Sequence, residues 1–297
     1  MSKEYQHDGE INPLKLFNVL YKRKILFILI VLSFSLGSVV YALFQPNLWT
    51  VTSVLEVSSG QNTSLASNNG SGMFALAGIK LEDDSSSSRA KVLIFSRDLV
   101  KRLISHDGVL KNLFAFQEYE EINQSSKFDQ SKFDEIEDKW KIEKPNLLSA
   151  VRKHADMVDL TIDRSSGFMY LSVTHGSPKF ASRYLQLIIT ELNNHARDLE
   201  ITATDKSLDY LYNKLNDTYQ ENVKQAISAV IESQLRKQMF AYISDSYLLN
   251  PLDSAYEPDL RSFPDRKKIV IFGTILGGLI AIIFILTIHF FRSLPKD

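Results

Sequence analysis

Hydrophobic positions fall along this chain in three regimes. Two unbroken apolar runs, residues 25–44 and 269–291, contain no Asp, Glu, Lys or Arg. Their 20 and 23 residues are enough to cross a hydrocarbon core of about 30 Å as helices. Neither shows the polar face of a surface helix, so both are predicted to be transmembrane. In the second regime, Trp49–Val57 is rich in Val, Thr and Trp and predicts a strand. Residues 158–164 and 168–175 predict two more, joined by the three-residue loop Ser165-Ser166-Gly167. The third regime is helical. Residues 89–105 place Val92, Leu93, Leu99, Leu103 and Ile104 on one face, with the serines at 85–88 offering an N-cap.

The longest helical pattern begins at Ser177-Pro178, a cap followed by proline at the favoured first position. Neither Pro nor Gly interrupts residues 179–250. Apolar residues recur every three or four, through Leu185, Ile188, Ile189, Leu192, Leu199, Ala203, Leu208, Leu211 and Leu215. They resume at Val223, Ala226, Val230, Ile231, Leu235, Met239 and Ile243. A helix to Asn216 would run about 60 Å, more than a compact domain of this size is wide, which predicts an extension projecting from the body. A turn near residues 216–219 would fold the second segment back as an antiparallel hairpin. Pro251, Pro258 and Pro264 then mark an extended return.

The flanks give the spans a direction. Lys15, Lys22, Arg23 and Lys24 precede the first run, and no Lys or Arg follows it before Lys80. The positive-inside rule therefore predicts a cytoplasmic N-terminus and an external middle domain. The second span weighs the other way, with Arg266, Lys267 and Lys268 before it and Arg292 and Lys296 after it. The first helix usually dominates, and long domains translocate despite their charge. A cleaved signal peptide competes for the first run, since Val40-Tyr41-Ala42 resembles a cleavage site, but signal cores are shorter. The expected organisation is a cytoplasmic segment 1–24, a span 25–44, a periplasmic domain 45–268 with a helical extension over about 178–249, a span 269–291 and a cytoplasmic tail 292–297. The fold class is α+β.

The middle domain holds low-complexity stretches as well. Residues 58–72, rich in Ser, Asn and Gly, predict a mobile loop, followed by an apolar island at 73–79. Within the charged stretch 116–146, Ser126-Lys127-Phe128-Asp129-Gln130 recurs as Ser131-Lys132-Phe133-Asp134-Glu135. It reads as a small duplication in a solvated surface loop. In the second span Gly273 and Gly277, followed by Gly278, have the small-residue spacing that lets transmembrane helices approach closely.

Composition narrows the chemistry. The chain has no cysteine, which removes disulfides, metal thiolates and thiol nucleophiles. The middle domain carries about four more acidic than basic residues, which speaks against a nucleic-acid partner. None of His7, His106, His154, His175, His195 and His289 pairs at metal-ligand spacing. His175 and His195 read as a strand-end and a helix-surface residue, and His289 as snorkelling towards the interface beside Arg292. The acidic pairs Asp83-Asp84 and Glu120-Glu121 read as solvated charge rather than facing carboxylates. No phosphate-binding glycine loop or nucleophile elbow occurs. No catalytic residue, cofactor or metal is expected, and the chain is not read as an enzyme.

Four segments resemble the Wzz-type chain-length determinants, the class 1 polysaccharide co-polymerases. The opening Glu10-Ile11-Asn12-Pro13-Leu14-Lys15-Leu16 is similar to their lead into the first span. Residues 73–79, with Leu76-Ala77-Gly78-Ile79, resemble a small-residue segment early in their periplasmic domain. Val173, His175, Ser177, Pro178 and Ala181 resemble their strand-to-long-helix junction. Pro258 and Pro264, followed by Gly273, Gly277 and Gly278, resemble their return and second span, with fewer prolines than the family often has.

That resemblance implies a homo-oligomeric ring or bell in the bacterial inner membrane. A membrane-proximal α/β base would carry the long helix away from the bilayer. It also implies regulation of O-antigen chain length in lipopolysaccharide, in partnership with a membrane polymerase and its polysaccharide chain. Two alternatives stay open. One is an export subunit of a capsule or exopolysaccharide system working with a separate kinase. The other is a two-span periplasmic sensor, for which the six residues after the second span offer no output domain.

Overall fold

The structure, a computed structural model, describes residues 20–58, 84–163 and 165–293. The lead at 10–16, the island at 73–79 and all but the first residue of the Ser/Asn/Gly tract lie outside those residues. Two compact units emerge. One takes the chain up to Asn47 and from Ser262 onward, the other Leu48–Arg261.

Along the chain, helix α1 (Lys24–Phe44) occupies the first apolar run. Strand β1 (Trp49–Val57) opens the second unit. Helices α2 (Asp84–Ile94) and α3 (Arg97–Ser105) replace the single helix expected over 89–105. The break lies at Ser96, whose hydroxyl accepts the Leu99 amide at 3.2 Å and starts a new N-terminus. The serine run at 85–88 lies inside α2, not ahead of it. Helix α4 (Val109–Phe114) follows, and then two small hairpins: β2 (Phe116–Glu120) with β3 (Ser125–Phe128), and β4 (Phe133–Asp134) with β5 (Lys139–Trp140).

These hairpins change the reading of the tandem repeat. Phe128 and Phe133, the aromatic residue of each copy, are buried together with Ala115 and packed by Trp140. Their rings meet edge to face at 6.4 Å, and Phe133 meets Trp140 at 5.3 Å. The Lys111 ammonium sits 5.5 Å from the Phe133 ring and 3.4 Å from Asp138. The repeat thus builds a satellite core, with only its polar residues solvated.

Helix α5 (Leu147–Met157) leads into β6 (Val158–Ile162) and β7 (Met169–His175). Gly167 takes φ +76° in the connecting loop, and Asp163 accepts hydrogen bonds from Ser165 and Ser166. Those bonds hold its carboxyl down at about 2. Helix α6 (Pro178–Asn216) and helix α7 (Glu221–Ile243) follow, then β8 (Leu249–Pro251) and, in the other unit, α8 (Arg266–Ser293).

The main sheet is antiparallel in the order β6-β7-β1-β8. Its period of two sends Val51 and Leu55 of β1, with Met169, Leu171 and Val173 of β7, into the core. Thr50 faces Thr174 and Thr52 faces Ser172 on the other side, hydroxyl to hydroxyl at 2.9 and 3.0 Å. One dry face and one wet face is what an antiparallel sheet tolerates. The dry face is covered by α6 through Tyr184, Leu185, Ile188 and Leu192, each fully buried, with Leu99 and Leu103 of α3 beside them. Each such side chain contributes about 1.5–3 kcal/mol of burial.

Candidate functional site

Helix α6 is the element that organises the second unit. Ser177 caps it, accepting the Phe180 amide at 3.3 Å, and Pro178 stands in its first turn. Its first half holds the return chain by polar side chains. Asn193, buried, accepts the amides of Leu248 and Leu249 at 2.8 and 2.9 Å and donates to the Leu249 carbonyl at 2.9 Å. Ser182 and Gln186 both donate to the Ala255 carbonyl. Nothing in the sequence reading had singled out these residues. Their signal is a polar side chain at a core position of an otherwise apolar helix face.

The second half of α6 pairs with α7. Buried and half-buried positions recur as Ile201, Thr204, Leu208, Leu211 and Leu215 on α6, and as Lys224, Ile227, Ile231, Gln234, Gln238 and Ala241 on α7. Both series step by three and four, the spacing of a two-helix coiled-coil seam. Gln238 donates to Asp205, and Arg197 donates to the carbonyls of Ser244 and Asp245, so α7 runs back along α6. The turn expected near 216–219 lies between the two helices. Beside that turn, Asn216, Glu221, Gln225, Ser228 and Glu232 line an open groove of about 700 Å³. It lacks the enclosing apolar walls of a small-molecule site.

Three histidines sit inside the base. His154 Nε2 lies 3.0 Å from the Ile94 carbonyl and its Nδ1 2.9 Å from the Tyr184 hydroxyl. A carbonyl only accepts, so Nε2 carries the proton and Nδ1 receives the tyrosine's. His175 is arranged likewise, donating from Nε2 to Asn112 and accepting the Ser177 amide at Nδ1. Burial lowers both to about 4, and it pushes the Tyr184 hydroxyl up. His175 is therefore a core residue at the strand end, locking the junction to α6. His195 is buried as well, against the expected surface position, and burial lowers its pKa first, the nearby Arg102 second. On the outside, Arg102 reaches Asp198 at 2.7 Å and His106 reaches Glu191 at 3.0 Å, tying α3 to α6. Among the described residues no group of three His, Asp or Glu is placed to hold a metal.

In the other unit α1 and α8 pack antiparallel. Gly273 lies against Ser38 and Gly277 against Phe34 and Val31. A Cβ at Gly273 would stand 2.4 Å from that of Ser38, and one at Gly277 2.6 Å from that of Phe34. Around Gly278 nothing described comes within 4 Å of such an atom. At the membrane-end loops, Arg266 donates to the Asn47 side chain at 3.1 Å.

A mixed helix-and-sheet unit between two helices apolar enough to cross a membrane defines a membrane-anchored α+β protein. Residues 9–128 match the family model Wzz, chain length determinant protein. Over that stretch the chain is similar to the Wzz chain length determinants. The match takes in the lead at 10–16 and the island at 73–79, while the segments at 173–181 and 258–278 lie beyond it. Among solved structures, a full-length bacterial polysaccharide co-polymerase aligns with 95% of this chain and 99% of its own, at 11% identity and a TM-score of 0.42. A fragment of WzzB, a polysaccharide co-polymerase from Salmonella Typhimurium, aligns with 73% of this chain and all of its own, at 12% identity and a TM-score of 0.28. No curated protein sequence matches.

Proposed function

We propose that the chain regulates the length of a polysaccharide, most specifically lipopolysaccharide O-antigen, as an oligomeric scaffold beside a membrane polymerase. The observation that carries this is the chain-length-determinant match over residues 9–128. The α+β unit lies in the periplasm in this reading, with both ends of the chain in the cytoplasm. It performs no catalytic step. It presents a repeated surface on which many weak contacts to polymer and polymerase add up. Deletion of the gene, followed by electrophoresis of lipopolysaccharide, is expected to replace a modal band distribution with an unregulated one. An unchanged ladder overturns the proposal.

Gly273 and Gly277 serve this scaffold by letting α8 close on α1. Leucine at either position is expected to separate the two spans and to lower the thermal stability of the detergent-solubilised chain, whereas Gly278→Leu leaves it unchanged. Equal effects at all three positions would remove the packing role.

A further inference from the structure

Three consecutive cations, Arg266, Lys267 and Lys268, open α8 at the end where the chain arrives from the α+β unit. Two effects disfavour them there. The positive-inside rule keeps Lys and Arg from an external flank, and the positive end of a helix dipole repels cations in the first turn. Local counter-charge is small. Among residues 41–47 and 262–270 the one carboxylate is Asp265, already bound to Lys268 at 3.1 Å. Arg266 donates to the neutral Asn47 side chain, and its Nε has no partner. Lys267 is exposed and makes no ion pair among the described residues. General basicity does not explain the cluster, because Leu48–Arg261 holds 30 acidic and 24 basic residues.

Exposed aromatic side chains stand at the level of these cations. Gly273 packs against Ser38 and Gly277 against Phe34. Continuing that antiparallel pairing puts Lys267 level with Phe44 and Val270 level with Tyr41. The bond from Arg266 to Asn47 agrees with this register. Phe44 is 84% exposed, Tyr41 60% and Phe263 55%. Helix α1 has 21 residues and so runs about 31 Å, the thickness of a hydrocarbon core of about 30 Å. Phe44 and the three cations therefore stand at the edge of that core. Headgroup depth is where aromatic rings and snorkelling cations settle.

We propose that this collar of rings and cations binds the phosphodiester headgroups of anionic phospholipids in the bilayer that the spans cross. The lipid phosphates supply the counter-charge that Asp265 alone does not, and the rings lie against glycerol and upper acyl chains. Lipid is the occupant because the collar continues the hydrocarbon-facing surfaces of α1 and α8. A free anion would leave the three rings uncovered. The inference goes beyond the proposed function and holds whichever polymer is regulated, so the lipopolysaccharide gel does not bear on it.

The chain has no cysteine, so Gln45→Cys gives a single dye position at the level of the collar. The labelled full chain is reconstituted in phosphatidylcholine vesicles, with doxyl-labelled phosphatidylglycerol or doxyl-labelled phosphatidylcholine as the quencher. Phosphatidylglycerol is expected to reach the dye with about tenfold preference, and 1 M salt is expected to reduce it. Lys267→Gln with Lys268→Gln spares the bond from Arg266 to Asn47 and is expected to bring the preference close to one. Lys267→Arg with Lys268→Arg is expected to retain it. Equal quenching by the two lipids in the chain with its cations intact overturns the proposal. So does a preference that survives the glutamine pair or vanishes in the arginine pair. Quenching by neither lipid would mean that protein covers the collar, which overturns it as well. Inorganic phosphate at matched ionic strength is expected to leave the preference intact. Its loss would assign the cations to a free anion and overturn the lipid as occupant.

Discussion

Residues 178–196 and 197–216 form one uninterrupted helix, yet the two halves are stabilised in different ways. The first half buries Phe180, Tyr184, Leu185, Ile188, Leu192, Asn193 and His195 among others, so nearly every side of it meets sheet, helix or return chain. The second half buries only Thr204 and Leu208, and one stripe of it meets a single partner helix. A helix in water gains most of its stability from the packing of its face. The base half is therefore fixed by a core, while the hairpin half is as firm as its seam. That seam includes Thr204, Lys224, Gln234 and Gln238. Polar residues there select a register at a cost in stability.

Acid should separate the two halves most strongly. His154 and His175 are neutral in the fold with pKa values near 4, against about 6.5 when unfolded. Between those values the unfolded chain binds more protons, so the stability they lend is whole above pH 6.5 and falls as the pH drops to 4. The loss amounts to roughly 3 kcal/mol for each histidine. Residues 197–243 contain no histidine, so the hairpin has no such term. Hydrogen exchange at pH 7 and pH 5 is expected to show loss of protection at Tyr184 and Leu171 through opening of the base. A midpoint of chemical unfolding independent of pH over this range would break the comparison.

Truncation gives the next largest contrast. Ile188→Ala empties a fully buried site among core neighbours and is expected to cost about 2–5 kcal/mol. Leu208→Ala opens a seam bordered by solvent, which can relax or admit water, and is expected to cost about half as much or less. Denaturant melts of the two variants, fitted with a common slope, check the difference. Equal costs would show that the hairpin is packed as tightly as the base.

The same contrast explains what could be read from sequence. Spans, main strands, the cap at Ser177 and the reversal after Asn216 follow from local chemistry, namely apolar length, β-branched residues, a hydroxyl before proline and a break in periodicity. The seam was only half legible. The apolar recurrences on α7 mix Ile231, which faces α6, with Val223, Val230 and Met239, which do not. A one-dimensional pattern records that a helix has apolar stripes without saying which stripe the chain itself covers. The helix break at Ser96 was missed although its signal is local, a serine capping Leu99 three residues on. The buried Phe128–Phe133 pair was missed because it needs Ala115 and Trp140 brought up by neighbouring elements. So were the clamps made by Asn193 and by His154, whose partners lie 55 and 60 residues away.

The smallest effect tests the seam itself. Gln238 is the one seam residue of α7 whose side chain bonds α6, through an exposed contact to Asp205. A hydrogen bond to a charged acceptor at the surface is partly replaced by water when removed, so Gln238→Ala is expected to cost about 1 kcal/mol or less. Global melting should barely register it. Its effect should instead be local. Opening of the hairpin by itself needs only the seam to part, so amides of residues 201–215 and 227–241 are expected to exchange up to about fivefold faster, while those around Tyr184 and Ile188 keep their rates. Uniform acceleration in both halves would mean that α6 opens as one cooperative body, and the distinction between a core-fixed base and a seam-fixed hairpin would then fail.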